Sequence, residues 1–147
     1  MNENETLAAL AGMGIMALVV ICALALAVSI FYYLTLQQAM NAVSPANRPL
    51  AGELIWLALV PVAGLIWYMI YIVLLASALR TELAQRGQTG DGGFGVSVAL
   101  VALLVLCFVP YVNLLAILPA VALWLTHWAK TANCRRLLQD GQPALAV

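Results

Sequence analysis

The sequence predicts an all-α integral membrane protein with four transmembrane helices, and three observations carry that prediction. Hydrophobic residues make up 65% of the 147 and charged residues 8%, against roughly a quarter charged in a soluble domain. The charges are also confined. No Asp, Glu, Lys or Arg occurs from Thr6 to Asn47, from Leu54 to Leu79, or from Gly92 to Ala129. Each run can cross a hydrocarbon core of about 30 Å, which takes roughly 20 helical residues. Finally, stretches such as Val101 to Leu106 and Leu114 to Leu118 do not alternate polar with apolar residues, as membrane β-strands would. Helices are then the structures that satisfy their own backbone groups in lipid.

One transmembrane domain over 1–147 is expected, with helices at about 7–37, 50–86, 94–109 and 113–137. The first follows an acidic start, Asn2-Glu3-Asn4-Glu5. A cleavable signal has a basic start and a short apolar core, so this helix is expected to be retained. It is longer than the membrane is thick and must tilt or project. Ala8 with Gly12 and Ala23 with Ala27 are four apart, a spacing that lets another helix approach closely. Tyr32 and Tyr33 suit the far interface.

Ser44, Pro45, Asn47, Arg48 and Pro49 mark a turn outside the lipid. The second helix carries Pro61, followed by Gly64, and is expected to kink there. Glu53, Trp56, Val60, Gly64, Trp67 and Tyr71 share one narrow face by the 3.6-residue period. Beyond Arg80 this helix should extend into the cytoplasm, where Glu82 and Arg86 form an i, i+4 pair. The connection that follows holds Gly87, Gly90, Gly92, Gly93 and Gly95. Its bare GxGxxG spacing lacks the preceding strand that a nucleotide-binding loop needs.

Pro110, Tyr111 and Asn113 divide the last run into a tight hairpin, helices 3 and 4. Pro119 falls early in helix 4 and is expected to kink it or delay its start. Ala116, Ala120, Leu123 and His127 share a face, and Trp124 and Trp128 fit an interfacial belt. The tail beyond Gly141 meets Pro143 and ends in Ala144, Leu145, Ala146 and Val147. Apolar residues in an aqueous compartment point to docking on a neighbouring subunit or on the membrane surface.

Lys and Arg counts set the orientation. In a four-crossing arrangement Arg80, Arg86, Lys130, Arg135 and Arg136 share one side with both termini, and Arg48 stands alone on the other. Both termini are therefore expected in the cytoplasm.

The sequence offers no catalytic, cofactor-binding or metal-ligand constellation. Cys22, Cys107 and Cys134 are widely separated and read as small hydrophobes. Zero net charge argues against nucleic acid as a partner. The helix centres lack ionisable groups, which a coupled transporter needs at depth. The candidate interaction positions are Glu53, Trp56, Trp67, Tyr71, His127, Lys130, Arg135 and Arg136. Glu53 reads as a base or cation ligand, or as a helix-start acid paired with Arg48. His127 reads as a pH sensor or as a hydrogen-bonded interfacial residue. Lys130, Arg135 and Arg136 suit anionic lipid headgroups or serve as the topology signal alone. The aromatic face reads as a ligand groove or as helix packing.

From Asn47-Arg48-Pro49 through Trp56, Pro61, Gly64, Trp67 and Ser77-Ala78-Leu79-Arg80 to Arg86-Gly87, the chain resembles small bacterial membrane proteins of uncharacterised function. The Pro110 turn and the Trp128-Ala129-Lys130 ending are similar too. That resemblance implies a bacterial inner membrane and four helices, and no activity. Membrane-embedded glutathione-utilising proteins have a similar length, but their arginine pattern has no counterpart here. The expectation is a non-enzymatic homo-oligomeric scaffold among membrane lipids. A channel or transporter subunit, and an accessory subunit of a larger membrane complex, are the alternatives.

Overall fold

The computed structural model describes residues 2–140, and every regular element among them is helical. In order these are α1 (Glu3–Ala42), the 3-10 helix η1 (Gly52–Leu59), α2 (Ala63–Gln85), α3 (Phe94–Leu106) and α4 (Val112–Asp140). The apolar tail from Gln142 to Val147, expected to dock, lies outside the described residues. Three helices, α1, α2 and α4, are long and apolar enough to cross a membrane. The chain falls into two units, divided between Tyr32 and Tyr33.

The first unit holds most of α1. Its large apolar side chains, among them Leu10, Met16, Ile21, Leu24 and Phe31, are exposed. Gly12 and Gly14 would each accept a Cβ with nothing within 4 Å.

The second unit, residues 33–140, is built from two hairpins and the last turns of α1. Its core comprises Leu36 and Met40 of α1, Ile55 of η1, Tyr71, Ile72, Leu75, Leu79 and Leu83 of α2, Leu100 of α3 and Leu138 of α4. These residues gather near the carboxyl ends of α1, α2 and α4. The opposite end is uncovered, with Leu59, Val62, Phe108, Leu114, Leu115 and Leu118 all more than half exposed.

Residues 50–86 do not form one kinked helix. η1 ends at Leu59 and α2 begins at Ala63, and the chain reverses between them. Pro61 cannot donate a backbone hydrogen bond and disfavours a helical Val60; Val60 is extended, with φ −69° and ψ 125°. Val62 then takes φ 64° and ψ −62°, and Ala63 N donates to Pro61 O at 2.8 Å. That is a γ-turn of the rare, strained hand. Gly64 lets the two arms meet, since a Cβ there would stand 2.6 Å from the carbonyl carbon of Ala58.

The second reversal follows the same plan. Pro110 precedes Tyr111 at φ 67°, and α3 and α4 run from this turn as a hairpin. The expected turn at Pro110 is where the structure has it. Pro119 lies inside α4. Gly93, at φ 78°, caps the start of α3. Gly92, at φ +62°, packs against α2 so closely that a Cβ would meet the carbonyl oxygen of Ala76 at 2.7 Å.

Reversal at Pro61 moves the 43–51 connection. It returns to the carboxyl end of α2, where Ser44 and Asn47 bind Glu82. Arg48 therefore stands at the same end as Arg80, Arg86, Lys130, Arg135 and Arg136. The expected partition, with Arg48 alone on the opposite side, is corrected by this geometry.

Candidate functional site

The polar end of residues 33–140 is organised by one buried carboxylate. Glu82 is 4% exposed. Its Oε2 accepts from Ser44 Oγ at 2.6 Å, from Asn47 Nδ2 at 2.8 Å and from Ser44 N at 3.3 Å. Its Oε1 accepts from Arg86 Nη2 at 2.7 Å and Nε at 3.0 Å. Arg86 Nη1 continues to the carbonyl oxygen of Leu138 at 2.8 Å, which ties α2 to α4. Gln85 closes the rim, accepting from Asn47 Nδ2 at 2.6 Å. The i, i+4 pair was visible in the sequence. Ser44 and Asn47, 38 and 35 residues away, had no local signal beyond a polar, proline-flanked turn.

The aromatic residues serve the first hairpin. Trp67 Nε1 donates to Leu54 O at 2.6 Å and Tyr71 hydroxyl to Gly52 O at 3.1 Å. Both bonds run from α2 to backbone carbonyls of η1. Trp56 Nε1 donates to Gln37 Oε1 at 3.0 Å, joining η1 to α1, and its ring meets Tyr33 edge-on at 6.1 Å. Trp56, Trp67 and Tyr71 thus line the seam between two arms and α1 rather than one face of one helix. Satisfying carbonyls of a 3-10 segment suits aromatic donors, which bring apolar bodies with a single polar atom.

Glu53 is exposed on η1. Among the described residues Arg48 donates to Asn41 Oδ1 at 3.2 Å rather than to Glu53.

His127 is 1% exposed, on the α4 face that also buries Ala116, Ala120 and Thr131. The small-residue patch of α4 is therefore used inside the chain. Lys130 stands 3.6 Å from Asp91. Asp91 Oδ1 accepts from Gly93 N at 3.0 Å, and Oδ2 from Gly95 N at 3.4 Å. The Gly93 contact holds the Asp91 carboxyl below the usual range; slight burial opposes this, while Gly95 and Lys130 add to it. Arg135 reaches Gln38, whereas Arg136 is exposed.

An open hollow of about 160 Å³ is lined by Asp91 together with Thr89, Gly90, Lys130, Asn133 and Cys134. Among the described residues, no group of three or more His, Cys, Asp or Glu is placed to hold a metal ion. Comparison of the chain with protein-family models, curated proteins and solved structures finds no match.

Proposed function

We propose that this chain is a non-enzymatic membrane scaffold that assembles with copies of itself in a bacterial inner membrane. The observation that carries the reading is the first unit. Its large apolar side chains from Leu7 to Phe31 are exposed, and a Cβ added at Gly12 or Gly14 would meet nothing within 4 Å. Glycine costs a helix up to about 1 kcal/mol relative to alanine, and close helix approach in lipid is the use that offsets this. α4's small-residue patch is occupied within the chain, so α1 remains the assembling surface. The basic end is cytoplasmic in this reading, because all six Lys and Arg residues lie within 48–136 and share that end.

Particle masses in native-lipid nanodiscs test the proposal. Multiples of the 15.7 kDa chain mass are expected, falling toward the single-chain value in Gly12→Leu. A wild-type protein that is single in every lipid mixture overturns the reading.

A further inference from the structure

We propose that the two hairpins are re-entrant: both enter the bilayer from the basic face, turn among the acyl chains, and return to the same face. The inference rests on the membrane reading above but not on self-assembly. It concerns the exposed turns at Val60–Val62 and Cys107–Tyr111, and the occupant it assigns to them is lipid hydrocarbon.

Four observations support it. Both hairpins have their two ends together at the polar end, through Ser44 and Asn47 on Glu82 for the first and through Asp91 beside Lys130 for the second. The entering arms are short. η1 has eight residues, about 16 Å at the 3-10 rise. α3 has 13 residues, about 20 Å at the α rise. Neither matches a hydrocarbon core of about 30 Å; the returning arms α2 and α4 are long enough to cross, and in this arrangement their charged carboxyl-terminal turns stand outside the lipid at the basic face.

The turns are also uncharged and mostly apolar where a water-exposed turn would be polar. Val62 is 88% exposed and Phe108 68%, with the Tyr111 phenol the one polar side chain at the tip of the second turn, and no charge occurs within Leu54–Leu79 or Gly92–Ala129. The 43–51 connection shows the contrast, with Ser44, Asn47 and Arg48. Lastly, the turns bond much of their own backbone, which lowers the cost of placing them in hydrocarbon. Gly64 N donates to Val60 O at 2.8 Å, and Val109 N to Leu106 O at 3.0 Å. Prolines at 61 and 110 remove one donor from each turn.

The test uses full-length protein in intact cells and in inside-out vesicles, with Cys22→Ser and Cys134→Ser so that native Cys107 reports on the second turn. A Cys107→Ser version carries Val62→Cys, Ala46→Cys or Gly90→Cys in turn. A membrane-impermeant maleimide should label Ala46→Cys and Gly90→Cys from the same, cytoplasmic face. Cys107 and Val62→Cys should resist it from both faces, and fluorophores attached there in detergent should be quenched by brominated acyl chains after reconstitution. Labelling of Cys107 or Val62→Cys from outside, or of Ala46→Cys and Gly90→Cys from opposite faces, would overturn the proposal. Release of the protein by alkaline carbonate would instead overturn the membrane reading beneath it.

Discussion

The two hairpins of residues 33–140 turn in the same way and are closed in different ways. Each reverses at a valine-proline pair followed by a non-glycine residue at positive φ, Val62 at 64° and Tyr111 at 67°. The first is closed by a buried carboxylate with donors from three residues, and by two aromatic donors that reach from α2 to η1. The second is closed by α3 packing on α4 and by an exposed ion pair, Lys130 to Asp91, whose side chains are 45% and 52% exposed. The difference follows from the arms. α3 is a regular α-helix that satisfies its own carbonyls, whereas η1 is a 3-10 segment with poorer internal bonds and needs partners from outside.

The largest expected effect is therefore on the first hairpin. Glu82→Ala should cost about 3 kcal/mol, because it leaves Ser44, Asn47 and the part-buried Arg86 without their shared acceptor. It should also open the 43–51 connection to protease. Lys130→Ala, its counterpart in the second hairpin, should cost less than about 0.5 kcal/mol, as exposed pairs do. Equal losses in thermal unfolding would erase the comparison.

Gly64→Ala comes next. The added methyl meets the backbone of Ala58, which cannot swing aside, and a loss of about 2 kcal/mol is expected. The same change at Gly12, where nothing lies within 4 Å, should leave a single chain's stability unharmed in detergent.

Val62→Gly should act in the opposite direction. A β-branched residue at φ 64° is strained, and relief of about 1 kcal/mol is expected. A fall in the unfolding midpoint would show that the valine side chain matters more than the turn's strain.

The smallest effect concerns pH. The folded Asp91 carboxyl is held below its unfolded value, first by Gly93 N–H. Its contribution is thus present above the unfolded pKa of about 3.9 and lost as pH falls through the folded value. The stability gap between wild type and Asp91→Asn should shrink between pH 6 and pH 3. A gap independent of pH would remove Asp91 from the closure of the second hairpin.

Much of this architecture is legible in the amino-acid order. The charge-free runs locate the apolar helices, and Pro110 with Tyr111 locates one reversal. Pro61 was harder to read, because a proline within an apolar run is compatible with a kink or with a reversal. Contacts across the turn decide between them: Gly64 against Ala58, and Trp67 and Tyr71 on carbonyls of η1. The wrong side for Arg48 followed from that one choice. Of the candidate positions, Trp56, Trp67 and Tyr71 share a seam and Lys130 meets Asp91, while Glu53 and Arg136 stand exposed. Glu82 is found only when its distant partners are known, since sequence spacing discloses Arg86 and conceals Ser44 and Asn47.

The charge-free turns bear on how such a chain is made. Every lysine and arginine between Arg48 and Arg136 stands at one end of the 33–140 unit, and both turns are free of charge. In the arrangement proposed for them, the machinery that inserts nascent chains never exports a charged loop from this region. Each hairpin can slide into the lipid from the side where it is synthesised, leaving its ionised groups in the water where they began.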